Sequence, residues 1–354
     1  MRRGTLAVAV AAAALLIPAG AASAGAGGQI DYAVIGDTPY GTSMFNVFPS
    51  HIDDINADPD VRLVMHLGDI KDGSSRCDTS YFEQIRLDFA RFQDPLVYTP
   101  GDNEWTDCHR TGSKDNGGYQ PAGPEIPGPP VVTPGPSRLD EIRRIFFDRP
   151  GQTLGQNPRD VQAQGARFVE NVRWTQAGTV FGVINVPGSN NDLLPWFGAR
   201  ETPALAQAQA DEYRTRNAAD LAWLDGIFDR AQTTHARGVV IGIQADMWDP
   251  AITGDPTQYS GFTDFVRELA TRTVQFGRPV LLLNGDSHVY EADHPLADPS
   301  ATNSSIFGVT TPVPNLTRIT VDGSSAANDY LRLHIDANSP DVFSWERVPY
   351  SVFG

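Results

Sequence analysis

The sequence predicts an α/β protein in which a central mixed β-sheet, or a pair of sheets, carries helices on both sides. Three observations carry that prediction. Apolar runs of strand length alternate with stretches of helical periodicity between residues 31 and 284. Most of those runs are nearly continuous rather than alternating, as strands covered on both faces are. Four of them stop at Gly-Asp: DYAVIGDTPY (31–40), VRLVMHLGDI (61–70), PLVYTPGDNEW (95–105) and PVLLLNGDSHVY (279–290).

In chain order, residues 31–35 read as a strand. Residues 43–57 set Phe45, Phe48, Ile52 and Ile55 on one helical face, and 61–67 form the next strand. Asp78 or Thr79 stands where a helix cap belongs, with Phe82, Ile85, Phe89 and Phe92 in register behind it. A strand at 95–99 follows. Residues 117–137, GGYQPAGPEIPGPPVVTPGPS, hold neither helix nor central strand. The Pro/Gly-rich insertion spans 112–137 and is either a plain surface loop or a lid beside the site. Then come a strand at 179–186, a long helix at 203–234, a strand at 238–244, a helix at 261–275 and a strand at 279–284. LTRITVD (316–322) and YLRLHIDA (330–337) alternate and predict antiparallel edge strands. No repeat or dividing linker interrupts 29–354, so one domain is expected there.

The chain has 354 residues, 40% of them hydrophobic, enough for a sizeable core. Its net charge of −16 repels polyanions, so no nucleic-acid-binding surface is expected. The start has the layout of a secretory signal at 1–24. Arg2 and Arg3 are followed by an apolar stretch from Leu6 to Pro18 and by small residues ending at Ala24. That stretch is short for a membrane span, and no later one is longer, so the expected location is secreted or extracytoplasmic. Export favours a disulfide between Cys77 and Cys108; the alternative is two separate thiols.

In open α/β sheets ligands bind beyond the carboxyl ends of the strands. Asp37, Asp69, Asp102 and Asp286 each stand just past such an end. Carboxylates gathered on one rim repel one another unless a cation sits among them. Asp also caps helices and forms turns. Four recurrences, with 32 and 33 residues separating the first three, favour a metal or phosphate site over turns alone. His288 adds an imidazole, so the donor set suits divalent ions among Mg, Mn, Ca, Fe and Zn.

The order Gly-Asp, Gly-Asp, Gly-Asp-Asn-Glu and a late Gly-Asp-Ser-His resembles the calcineurin-like metallophosphoesterases, distantly in the manner of purple acid phosphatases. The resemblance spans about residues 30–290. It implies a four-layer α/β/β/α sandwich, two divalent ions and hydrolysis of phosphate mono- or diesters. The family opens with Asp-x-His; here Asp37 matches, Pro39 holds the His place and Tyr40 follows as a candidate ligand. Gly68-Asp69 matches intact, and its Asp is the one that would bridge two ions. Gly101-Asp102-Asn103-Glu104 stands for Gly-Asn-His-Asp/Glu, so Asn103 occupies the place of the catalytic histidine, and an amide is no general acid. Gln244 stands where a lone His is expected. Gly285-Asp286-Ser287-His288 keeps only the second His of Gly-His-x-His.

The resemblance thus assigns Asp37, Asp69, His288 and Tyr40 to one ion, and Asp69, Asp102, Gln244 and Asp286 to the other. Asn103 and Arg110 are the expected contacts to a phosphorylated small molecule or polymer, and His109 the candidate leaving-group acid. A solvated loop His and an ordinary surface Arg are the plain alternatives. Replacing His by Asp, Gln or Asn makes the site harder and richer in oxygen. Two functions fit: a secreted phosphoesterase, or an impaired relative that binds metal or phosphate without turnover.

Overall fold

The computed structural model describes residues 28–113, 138–196, 202–324 and 327–351. The expected leader at 1–24 and nearly all of the 112–137 insertion lie outside them. The strands are β1 (Ile30–Ile35), β2 (Val61–His66), β3 (Leu96–Tyr98), β4 (Gln162–Gln164), β5 (Phe168–Gln176), β6 (Thr179–Val183), β7 (Gly238–Gly242), β8 (Val280–Asn284), β9 (Glu291–Asp293), β10 (Leu316–Thr320), β11 (Asp329–Ile335) and β12 (Phe343–Pro349).

They form two sheets, ordered β12-β11-β1-β2-β3 and β4-β5-β6-β7-β8-β10-β9. β1, β2 and β3 run parallel, as do β6, β7, β8 and β10. Antiparallel strands flank both parallel blocks.

The apolar runs are buried on both faces because each sheet has two different covers. Tyr32, Val34, Leu63 and Met65 of the first sheet pack on Phe181, Val183, Val240, Leu281 and Leu283 of the second. The outer face of the first sheet meets the helices Gly41–Ala57, Thr79–Phe89 and Arg138–Phe146 through Phe48, Ile52, Phe82, Phe89 and Phe146. The outer face of the second meets Pro203–Thr233 and Thr263–Phe276 through Leu224, Ile227, Phe228, Phe265 and Leu269. The layers therefore run helix, sheet, sheet, helix. Each fully buried aromatic or branched side chain contributes roughly 1.5–3 kcal/mol to that stack.

Two expectations need correction. The 316–322 and 330–337 segments are not sheet edges: β9 lies outside β10 and β12 outside β11. The short β9 and the partly exposed β12 carry too little apolar pattern to announce themselves. The second helix stops at Phe89 rather than Phe92; Asp78 sits at its N-cap position, but its carboxylate pairs with Arg76 at 3.0 Å instead of capping.

Candidate metal centre

The strand-end aspartates converge. Asp37 follows β1, Asp69 follows β2, Asp102 follows β3 and Asp286 follows β8. Parallel strands deliver their carboxyl ends to one edge, and the stacking of the two sheets brings the edges together. The backbone there is unusual: Asp37, Asp69, Asp286 and His288 all have positive φ, at 50°, 57°, 77° and 64°. Non-glycine residues enter that region at a cost and do so mainly where surrounding contacts force them, often at functional sites.

Two groups of donor atoms result, Asp37–Asp69–His288 and Asp69–Asp102–Asp286, each with its ligand atoms within 4.8 Å of one another. Asp69 belongs to both. In the first group, Asp37 accepts the Asp286 N–H on both oxygens at 3.0 Å and lies 3.5 Å from His288 Nε2. The Tyr40 hydroxyl donates to Asp69 Oδ2 at 2.7 Å and sits 3.3 Å from His288 Nε2. In the second, Asp102 Oδ2 accepts from Ser189 Oγ at 2.7 Å, and Asp286 Oδ2 accepts the Asp246 N–H at 3.1 Å.

A buried scaffold fixes these loops. Glu104, fully buried, accepts the Gly101 N–H at 2.7 Å, the Tyr98 hydroxyl at 2.7 Å and the Asp69 N–H at 3.2 Å, all on Oε1. Lys71, 1% exposed, donates to Asn103 O at 2.6 Å. His66 bridges two site loops, meeting Thr38 O through Nε2 at 2.9 Å and accepting the Gly68 N–H on Nδ1 at 3.3 Å, which assigns the neutral Nε2–H tautomer. The Cys77–Cys108 disulfide closes the loop that carries Asn103.

The electrostatics match a cation site. Burial, and then the charges of Asp102, Glu104, Asp37 and Asp286, push the Asp69 carboxyl well above the ordinary carboxylate range. Burial with Asp102 and Asp37 does the same for Asp286. Burial raises Asp37 although His288 opposes it. Burial alone would lower His288, yet the Asp37 contact and charge leave it raised. The carboxyls are raised because they are buried together without a compensating positive charge, which a divalent ion would supply. Oxygen donors with one imidazole fit a hard or borderline ion.

The structure brings most of the expected site residues together. Asn103 Nδ2 donates to Asp69 Oδ2 and to the Tyr40 hydroxyl, both at 2.6 Å. Gln244 reaches the rim, but its Oε1 accepts the Gly188 N–H, and its Nε2 has no hydrogen-bond partner among the described residues. His109 lies outside both donor groups, on the 3-10 segment Thr106–Ser113, with Nδ1 at 3.1 Å from Thr106 O. The Arg110 side chain lies outside the described residues. Glu104, Lys71, His66 and Ser189 escaped sequence reasoning. Glu104 alone had a signal, as the acidic end of Gly-Asp-Asn-Glu.

A helix–sheet–sheet–helix sandwich with such a carboxylate rim is a candidate metal-binding scaffold. Residues 30–197 match the family model of the calcineurin-like phosphoesterases, and that segment is a calcineurin-like phosphoesterase domain. No curated protein matches the chain. Among solved structures, one described as "GAP50 the anchor in the inner membrane complex of Plasmodium" shares 9% identity at a TM-score of 0.40, over 91% of this chain and 89% of that one. So distant a likeness carries nothing over. No helix of the described residues is long and apolar enough to cross a membrane.

Proposed function

We propose that the chain is an exported metal-dependent phosphoesterase, its domain spanning 29–354 after a leader at 1–24, acting on phosphate mono- or diesters at a dinuclear centre. One observation carries the reading: two donor groups share a single buried carboxylate, Asp69. Asp37, Asp69 and His288, with Tyr40 beside them, would hold one ion, and Asp69, Asp102 and Asp286 the other. Gln244 would join the second set through the lone pair of its amide oxygen that the Gly188 N–H does not use. Divalent ions bound there supply an activated water nucleophile and neutralise charge on the phosphoryl group.

The chain's own residues bind and orient. Asn103 holds Asp69 through its side-chain amide, and would turn an N–H to a phosphoryl oxygen by giving up its contact with Asp69 or Tyr40. Glu104 and Lys71 fix the 101–104 backbone. His288 and Asp286 are the partly exposed members of the two donor groups. His109 stays the candidate leaving-group acid and Arg110 the candidate phosphate contact.

The second reading, a metal- or phosphate-binding protein without turnover, is favoured by Asn103, whose Nδ2 is already engaged with Asp69 and Tyr40. Hydrolysis of p-nitrophenyl phosphate and bis-p-nitrophenyl phosphate with Mg, Mn, Ca or Zn separates the two. Activity lost in Asp69→Asn supports the enzyme. Tight metal uptake with no turnover under any ion supports the binder.

A further inference from the structure

The loop after β6 contains the most strained backbone among the described residues. Ser189, Asn190 and Asn191 have φ/ψ of 50°/44°, 58°/46° and 52°/43°, and Asp192 has φ 72°. Four successive non-glycine residues thus turn left-handed, where each costs roughly 1–2 kcal/mol. Buried contacts hold the turn in place. Arg216 donates to Asn191 Oδ1 at 2.7 Å and to Asn191 O at 3.0 Å. Asn190 Oδ1 accepts the Gly261 N–H at 2.7 Å, and Asn191 Nδ2 donates to Gly261 O at 3.0 Å. Asp192 accepts from Trp196 Nε1.

The strained turn delivers two groups to the second donor set. Ser189 Oγ lies 2.7 Å from Asp102 Oδ2 and 2.9 Å from Asp107 Oδ1. Gly188 lies flat against the set: a Cβ there would come within 2.7 Å of Asp102 Oδ2 and 2.8 Å of both Asp286 oxygens. Its N–H also occupies Gln244 Oε1. No comparable contact reaches Asp37 or His288 from this loop among the described residues.

We propose that Ser189, carried on the left-handed turn, is a positioning residue that sets the Asp102 carboxylate for the second ion and leaves the first ion untouched. The proposal rests on the dinuclear reading above and adds a residue that acts on one half of it. Hydrogen bonds that orient a metal's ligands typically govern 10–100-fold of its affinity. The hydroxyl has a single proton, which it donates to Asp102 Oδ2 or to Asp107 Oδ1 but not to both at once.

The test is titration of the metal-free mature chain with Mn2+ alone, followed by calorimetry and by electron paramagnetic resonance, which tells isolated from exchange-coupled Mn2+. Ser189→Ala removes the hydroxyl. Ser189→Gly removes it and also relieves the left-handed strain, so that variant folds at least as well as the parent. Both are expected to bind the first Mn2+ as the parent does, to bind the second at least 10-fold more weakly, and to show the coupled signal only at correspondingly higher Mn2+. Ser189→Asn, which tolerates the backbone and keeps a donor, recovers part of the loss. Equal second-site affinity in parent and variants overturns the role of Ser189 while the dinuclear reading stands, as does equal weakening at both sites. A parent that binds no Mn2+, or only one, removes the dinuclear reading itself and the proposal with it.

Discussion

Asp69→Asn separates a metal centre from a merely acidic fold, because the two predict opposite signs. In the metal-free protein Asp69 is repelled by Asp102, Glu104, Asp37 and Asp286. Asparagine removes one charge from that cluster and tolerates the left-handed backbone at φ 57°. Its carboxamide oxygen can still accept from Tyr40 and Asn103 Nδ2, which bind Asp69 Oδ2 at 2.7 and 2.6 Å. The amide nitrogen loses the Asn103 N–H that Oδ1 accepts at 3.1 Å, a cost of about 1 kcal/mol set against the relieved repulsion. Without metal, the variant is therefore expected to melt at or above the parent at pH 8. With metal the order reverses. An ion at 100 times its dissociation constant stabilises the folded state by about 2.7 kcal/mol, which in a protein of this size raises the melting temperature by about 5 °C. Because Asp69 belongs to both donor groups, the substitution should abolish most of that rise for Mn2+ or Mg2+. Differential scanning fluorimetry of both proteins, with chelator and with graded metal, reads both signs. A metal-dependent rise that survives in Asp69→Asn, or a chelated variant several degrees less stable than the parent, would falsify the argument.

Other consequences follow from the same contacts. Asp37, Asp69 and Asp286 have carboxyl groups raised above 3.8 by burial, so the metal-free folded state binds more protons than the unfolded chain. Its stability therefore falls as pH rises above 3.8, and the extra stability conferred by Mn2+ grows over the same range, read as melting temperature against pH with and without metal. Burial holds His66 at about 4, against 6.5 when unfolded. Its contribution is present above pH 6.5 and lost as pH falls toward 4, a term of about 3 kcal/mol that His66→Gln should flatten in acid denaturation curves. Glu104→Ala leaves the Gly101 N–H, Asp69 N–H and Tyr98 hydroxyl unpaired in the interior and should cost about 3 kcal/mol in urea unfolding. Glu104→Gln, which keeps an acceptor in the same place, should cost a third of that or less.

Much of the fold and part of the site were legible in the sequence, for identifiable reasons. Continuous apolar runs such as LLLN before Gly285 announce buried strands, and Gly-Asp at their ends announces a functional rim. Periodicity cannot say what covers a strand. The runs at 31–35 and 279–284 show the same pattern whether helix or sheet lies on the second face, so the division into two sheets waited for the structure. β9 and β12 went unseen because exposed edge strands lack the apolar signature. His66 and Lys71 read as ordinary members of VMHLGDIK. Only burial and the carbonyls of Thr38 and Asn103 make them supports of the site. Ser189 had no signal at all, because nothing in PGSNND announces four left-handed residues in a row.

By itself, then, the sequence determined the order of the elements from β1 to β3 and from β6 to β8, though not the helix Arg138–Phe146, β4, β5, β9 or β12. It also determined the identity of the rim carboxylates and the resemblance to a phosphoesterase family, since these depend on local pattern and on which residue follows which. Tertiary structure alone decided the sharing of Asp69 between two donor groups, the use of Gln244's oxygen on Gly188 and the reach of Ser189 to Asp102. Gly188 and Gln244 are 56 positions apart, Ser189 and Asp102 are 87, and Asp69 and His288 are 288 − 69 = 219; their distances are set by how two sheets stack, a property no single segment encodes.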